Sequence, residues 1–373
     1  MIPKDSDREA IELLRQLVAI PSPSGKEAEA SRFLAGWMDR HGMDARVDQV
    51  GNAIGCKGDG PAEVLLLGHI DTFPGEIPVR IEGDWLYGRG SVDAKGPLCA
   101  FAVAAARAAV PEGWRVTVVG AVEEETATSR GARHIVSTMA GPPAYCVIGE
   151  PSGWDRITLG YRGRLVVNVA LRAPHSHSAG PHPSPAELGV RLWDAVRAYC
   201  DEWNRARARG DSVFNRLSAS LRSFVTSDDG PYGVVRMGIG FRLPLGAEAG
   251  DIARDLRSLL AESASGAALE VTELGSEVAY KAGKSNRLVS SFLSAIRSAG
   301  GAPRFVLKSG TSDMNVVGPA WPEVPMVAYG PGDSSLDHTP DERQSLSEYL
   351  KSISVLAAAL RNLWGDQGRA GAL

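Results

Sequence analysis

The sequence predicts an α/β protein: a mostly parallel sheet with helices on both faces, plus an inserted α+β domain. Three observations carry this. Short β-rich apolar runs alternate with helical stretches over residues 1–163, the texture changes over 164–280, and the first texture returns over 281–373. The 373 residues suit two domains, and 44% hydrophobic with 23% charged residues is ordinary for a soluble chain. A net charge of −4 gives no global argument for nucleic acid or a membrane surface.

The elements follow in order. "MIPKDSDREAIELLRQLVAI" reads as an amphipathic helix and lacks the uninterrupted apolar core of a signal peptide. Two capping boxes are expected, Ser6 with Glu9 and Ser24 with Glu27, the second opening a helix that ends near Gly42. "AEVLLLGHI" is a strand, "KGPLCAFAVAAARAAV" a helix, "WRVTVVGAV" a strand, "SRGARHIVSTM" a helix and "AYCVIGE" a strand. The longest apolar run is broken by Arg107 and is too short to span a bilayer, while the scattered cysteines suit a reducing cytoplasm, the location expected. Cys56, Cys99, Cys146 and Cys200 form no CxxC pair and are expected as buried free thiols.

From residue 164, "RLVVNVALRA" alternates as a strand with one wet face, followed by a polar helix near 185–206. "VVRMGIGFRLP", "DIARDLRSLLAE" and "ALEVTEL" continue as strand, helix and strand. After 284 come a helix ("RLVSSFLSAIRSAGG"), a buried strand ("VPMVAYG") and a closing helix. "AGKS" at 282–285 has the tail of a phosphate loop, but Val278 stands where its leading glycine belongs. HExxH and GxSxG are both missing, which lowers the case for those hydrolase classes.

Ionisable residues gather where apolar runs end. His69 and Asp71 follow "LLLG", and residues i and i+2 of an extended chain point the same way. Asp71 can therefore orient an imidazole whose other nitrogen binds a metal. Alone, the pair reads more readily as a capped core histidine beside a loop aspartate. Asp93 sits in a Gly-rich loop before a helix, Glu123, Glu124 and Glu125 end one strand, Glu150 ends another, and Asp337 and His338 follow a third. Open α/β sheets bind ligands outside the carboxyl ends of their strands, so these groups are expected to converge on one crevice. Three adjacent carboxylates repel one another unless a cation or water screens them. Two histidines with three carboxylates suit a pair of borderline divalent ions such as zinc, one carboxylate bridging. Ions about 3.5–4 Å apart activate water at neutral pH.

In order and spacing, "SPSGKE", "GHIDTFPG", "YGRGSVDAKGP", the Glu run, "GEP", "HSAGPHP", "GFRLP", "GTSD" and "LDHTPDE" resemble the di-zinc aminoacylase/carboxypeptidase metallopeptidases. That family includes acetylornithine deacetylase, succinyl-diaminopimelate desuccinylase and glutamate carboxypeptidase. Within it, "GEIPVRIEGDWLYGRGSVDAKGPL" and "YGPGDSSLDHTPDE" resemble the amino-group carrier protein hydrolases, which release lysine or ornithine. The resemblance implies a zinc-peptidase-like catalytic domain, two metal ions per subunit (zinc, with cobalt accepted) and an inserted lid and dimerisation domain. It implies Asp93 as the bridging ligand, His69 and Glu150 on one metal, and Glu125 and His338 on the other. Asp71 orients His69, and Glu124 is the general base. The family usually shows Asp-Glu-Glu where this chain has Glu123-Glu124-Glu125, so a slip of one residue exchanges the last two roles.

In the insert, the family pattern implies that His177 reaches a partner's active site and stabilises an oxyanion; His175 and His182 flank it as a surface cluster. Arg242 matches a lid arginine that pairs with a substrate carboxylate. Arg162 and Gly310-Thr311-Ser312-Asp313 are further candidates for substrate contact. Residues 191–222 hold seven arginines against Asp194, Asp201, Glu202 and Asp211, a local +3 that can steer the small acidic carrier protein. The expected reaction releases lysine or ornithine from the γ-carboxyl of the carrier's terminal glutamate. Alternatives are N-acetylornithine or another small N-acyl amino acid, a dipeptide, or a catalytically silent metal-fold binding module.

Overall fold

The computed structural model describes residues 5–126, 128–177, 179–207, 210 and 212–365. The chain divides into two compact units. The first takes residues up to Gly160, Lys281–Leu307 and the stretch from Ser312 onward; the second takes Tyr161–Tyr280 and Lys308–Thr311.

The first unit is built on a nine-stranded sheet. Its centre is parallel: Ala62–His69 lies between Trp114–Ala121 and Tyr145–Gly149, and Met326–Ala328 continues beyond the last. The apolar runs of these strands reflect burial on both faces. Val64, Leu66, Val116, Val118 and Val147 join one core with the flanking helices. Leu65, Leu67, Val119, Cys146 and Ile148 alternate to the opposite face and are buried as well. Antiparallel strands flank this centre: Asp44–Val47 pairs with Ala53–Lys57, which pairs with Trp114–Ala121, and Arg156–Tyr161 meets Met326–Ala328. The sequence does not announce those edges, because "DARV" is short and polar and carries no period of its own.

Helix Lys95–Arg107 is buried from Lys95 to Ala105, packed between the sheet and helices Asp5–Ala19 and Leu346–Trp364. Three aligned glycines let it lie close. Gly68 pairs with Gly120 on one side and Gly149 on the other. A Cβ at Gly120 would meet Leu98 Cδ2 at 3.1 Å, and one at Gly149 would meet Gly68 Cα at 2.9 Å and Phe101 Cε2 at 3.0 Å. This row lies at the end of one strand and one step before the ends of the other two, so it also brings the start of the helix, just after Asp93, against them.

The two capping boxes do not form as expected. The first helix already begins at Asp5, and Glu9 instead lies 2.8 Å from His41 Nε2. The second begins at Ala28 with Glu27 itself at its N-cap and no side-chain cap, because both side chains have other partners described below. The helix ends at Arg40, before Gly42 at φ +79. All four cysteines are free, but Cys56 is only partly buried. Among the described residues, no helix is long and apolar enough to cross a membrane.

The second unit is a four-stranded antiparallel sheet in the order Ser218–Asp229, Tyr232–Leu243, Gly163–Pro174, Ala268–Glu277. Alternate residues Leu165, Val167, Val169 and Leu171, with Val235, Met237, Ile239 and Phe241, form one apolar face. Helices Pro185–Arg207 and Ala249–Ser263 cover it through Leu192, Val196, Leu256 and Leu260. Ser218–Asp229 is the strand that sequence reading passes over, since this edge strand is largely exposed and polar.

Gly149→Ala tests the glycine row. Its Cβ meets backbone and an aromatic ring rather than a flexible side-chain tip, so the expected loss is about 1–3 kcal/mol in thermal or urea unfolding. An unchanged midpoint would show that the helix shifts without cost.

Candidate metal centre

His69 is the last residue of its strand and is buried. Its Nδ1 lies 3.0 Å from the main-chain carbonyl of Asp71. A carbonyl only accepts, so Nδ1 donates a hydrogen and Nε2 is the atom presented to the carboxylates. Nε2 stands 3.2 Å from Asp93 Oδ1, 3.9 Å from Glu150 Oε1 and 4.0 Å from Glu124 Oε2.

Asp71 does more than face His69. Its Oδ1 is 3.4 Å from His69 Nδ1 and accepts the Glu124 N–H at 3.0 Å. Its Oδ2 accepts the Glu125 N–H at 3.0 Å and the Ser24 hydroxyl at 2.6 Å. Burial opposes the charged form, but the hydrogen bond and charge of His69, with Ser24 and Glu125, hold this carboxyl below its usual range.

His338 supplies the other side. Its Nε2 is 3.1 Å from Asp93 Oδ2 and 3.0 Å from Glu125 Oε1, and its ring stacks on Phe73 at 4.3 Å between centroids. Asp93 thus turns one oxygen toward His69 and the other toward His338. Two groups result, His69–Asp93–Glu150 and Asp93–Glu125–His338, each with ligand atoms within 4.8 Å of one another. Donors at ordinary metal–ligand distances of about 2.0–2.2 Å lie up to about 4.4 Å apart, so each set fits one ion with small adjustments, and the N/O chemistry suits a borderline divalent metal.

The charges support that fit. Burial pushes the Glu124 carboxyl well above its usual range; His69 opposes this, while Glu150, Asp313 and Glu125 reinforce it. Glu125 is raised by burial against the hydrogen bond of His338. Asp93 is lowered, since His338 and His69 together outweigh its burial. His338 is pushed up to about 10 by Asp93 and Glu125. Buried carboxylates this close together stay ionised only with positive charge among them; otherwise they take up protons.

The remaining candidates divide. Glu123 belongs to neither group: at φ +60 it turns to Arg130 Nε at 3.1 Å and the Thr128 hydroxyl at 2.8 Å. His338, at φ +62, is likewise left-handed, a conformation costing about 1–3 kcal/mol that its surroundings must sustain. Asp337 lies outside both groups. Ser312 is buried, its hydroxyl accepting the Met314 N–H at 3.2 Å.

In the second unit, His177 is exposed, and its Nδ1 accepts the Ala179 N–H at 3.1 Å. That leaves the hydrogen of a neutral ring on Nε2. His175 pairs with Asp228 at 3.1 Å, and the His182 carbonyl accepts the Ser176 hydroxyl. Arg242 donates to Thr311 Oγ1 at 3.2 Å. Arg162, 2% exposed, donates to the Arg216 and Arg242 carbonyls and to Ser218 Oγ, bracing its own unit. Burial and the charge of Arg242 lower its pKa to about 10. Arg191, Arg197, Arg205 and Arg207 are exposed on helix Pro185–Arg207, while Arg209 lies outside the described residues.

Sequence reading missed three supports. Ser24 holds Asp71, Glu27 Oε1 accepts the Gly25 N–H at 2.7 Å and the Glu123 N–H at 3.3 Å, and Phe73 stacks on His338. Ser24 and Glu27 match a helix cap so well that nothing local points to a partner about fifty or a hundred residues away. Phe73 was visible inside "DTFPG", but an aromatic in a loop carries no distinctive signal.

This parallel sheet with its paired ligand groups is the architecture of a metallopeptidase-type hydrolase. Residues 65–362 match the model for Peptidase family M20/M25/M40, and the chain belongs to that family. It is 44% identical over 369 residues to the [LysW]-lysine hydrolase of Deinococcus radiodurans, spanning 98% of this chain and all of that one. A relative from Pyrococcus abyssi, named provisionally as a [LysW]-lysine/[LysW]-ornithine hydrolase, is 40% identical over 365 residues, 98% of this chain and 96% of that one. Among solved structures, an M20 family metallo-carboxypeptidase from Sulfolobus solfataricus has a TM-score of 0.76 at 17% identity, covering 95% of this chain and 98% of that one. A dinuclear metal binding peptidase of the same family from Bacillus subtilis has a TM-score of 0.67 at 14% identity, covering 96% and 98%.

Asp71→Asn sets an amide NH2 against backbone N–H groups that now meet a carboxylate. The expected loss is about 3 kcal/mol in urea unfolding of the metal-free protein. A wild-type midpoint would mean that other contacts hold the Glu124–Glu125 turn.

Proposed function

We propose that this protein is a metal-dependent amidohydrolase releasing L-lysine, L-ornithine or both from the C-terminal glutamate γ-carboxyl of an acidic amino-group carrier protein. The observation that carries the chemistry is Asp93, shared between two ligand groups with Glu124 beside them but in neither. The carrier substrate rests on the two relatives, each matching nearly the full length.

His69, Asp93 and Glu150 would hold one divalent ion, and Asp93, Glu125 and His338 the other, zinc being favoured and cobalt acceptable. Such ions polarise the amide carbonyl and make water acidic enough to attack at neutral pH. Glu124 is the general base. Its carboxyl takes a proton from the attacking water as the new C–O bond forms, then delivers it to the leaving nitrogen as the C–N bond breaks. Asp71 accepts both backbone N–H groups, so from this fixed base Glu124 would serve the water and Glu125 would hold metal.

His177 is assigned to the oxyanion. With Nδ1 occupied by Ala179, its Nε2–H is the available donor, and we place it across a homodimer formed by the second unit. Arg242, steadied by Thr311, is assigned to a substrate carboxylate. The exposed arginines of helix Pro185–Arg207 would steer the acidic carrier, and the reaction is placed in the cytoplasm.

Amine release by purified enzyme with zinc or cobalt tests the reading on carrier-bound lysine, carrier-bound ornithine and N-acetylornithine, each with and without chelator. Chelator-sensitive turnover of the carrier adducts is expected. Turnover of N-acetylornithine alone would keep the metal chemistry and discard the carrier, and silence on all three would discard the carrier and point to dipeptides, then to a silent binding module. Glu124→Gln should lower kcat by about 10²–10⁴ while leaving bound metal unchanged by elemental analysis. Loss of metal instead would exchange its role with that of Glu125.

A further inference from the structure

The loop carrying Asp93 is gripped from behind. Glu342, fully buried four residues after His338, accepts the backbone N–H of Val92 at 3.0 Å and of Asp93 at 3.1 Å on one oxygen. Its other oxygen accepts Arg89 Nη1 at 2.8 Å. Arg89 in turn donates through Nε to the Gly75 carbonyl at 3.1 Å, and its guanidinium lies 5.8 Å from the Phe73 ring centre. Phe73 is the ring on which His338 stacks.

We propose that Glu342 is a positioning residue for the metal centre, fixing the backbone of the shared ligand Asp93 and, through Arg89 and Phe73, the ring plane of His338. The proposal rests on the metal-centre reading given above. The argument is geometric. Asp93 must turn one oxygen to each histidine, which needs its main chain held as well as its side chain. Both consecutive N–H groups there end on one carboxylate oxygen, an arrangement that sets where the Asp93 side chain starts. A carboxylate is costly to bury, and here one oxygen meets two N–H groups while the other meets a cation. The negative charge earns Arg89 as well, whose fork spans from Glu342 to the loop bearing Phe73. One buried side chain thereby couples the ligand common to both groups with a ligand of the second.

The test is cobalt(II) titration of the full-length, metal-stripped protein, followed by visible absorption and by calorimetry, for wild type, Glu342→Gln and Arg89→Gln. Thermal unfolding of the metal-free forms runs alongside. Glu342→Gln should bind cobalt about 10–100-fold more weakly, with an altered absorption spectrum, as expected when the partner of a ligand is lost. Arg89→Gln should shift both in the same direction by a smaller factor. Unchanged affinity and spectrum in both variants would overturn the proposal, as would a lowered unfolding temperature with the spectrum of bound cobalt preserved. If Glu342→Gln does not fold, Arg89→Gln decides by the same two readouts. Failure of the wild type to take up cobalt, zinc or manganese would instead remove the metal-centre reading beneath it.

Discussion

The carboxylate of Asp71 is the contact on which the site depends. It is fully buried, and its two oxygens gather a hydroxyl from the start of the chain, two backbone N–H groups from the end of a neighbouring strand and the flank of the His69 ring. Burying a charge is costly unless each lone pair finds a donor, and here they do. The result is a junction between three loops distant in sequence. Because Glu124 and Glu125 are held by their main chains, their side chains diverge from a fixed base. That division lets adjacent residues of one type take different surroundings.

The parallel centre of the sheet explains why the junction lies where it does. Parallel strands present all their carboxyl ends at one edge, so Ala62–His69, Trp114–Ala121, Tyr145–Gly149 and Met326–Ala328 deliver their following loops to one place. The glycine row Gly120–Gly68–Gly149 then admits helix Lys95–Arg107 close to that edge, which carries Asp93 inward. Packing of small residues and placement of a ligand are one event here. Buried Lys95 at the start of the same helix donates to the Leu17 and Ile20 carbonyls, tying it to the end of the first helix.

The second unit is organised differently. Its antiparallel sheet has one face covered by two helices, and its charged residues are mostly on the exposed side. Glu277 and Arg162 are exceptions, and Arg162 is a buried cation that donates to the backbone carbonyls of Arg216 and Arg242. Arginine suits such bracing because it keeps its charge and spreads several donors in a plane. Arg242, half-buried and donating to Thr311, is the better placed of the two for recognition.

By itself the sequence determined the alternation of strands and helices, the change of texture near residue 164 and the set of ionisable residues at strand ends. Those signals are local: periodicity, glycine placement and residue type are written in consecutive positions. Only the tertiary structure decided which groups meet. It separated Glu123 from Glu124 and Glu125, gave Arg162 and Ser312 hydrogen-bond partners within their own units, and turned Ser24 and Glu27 from an apparent cap into supports of Asp71 and the Glu123 turn. The exposed edge strand Ser218–Asp229 was also hidden, since its pairing comes from a neighbour rather than from its own pattern. The physical reason is common to all of these. A hydroxyl, carboxylate or guanidinium has several acceptable partners of similar energy, and which one it takes depends on what folding brings within about 3 Å, a distance that sequence order does not encode.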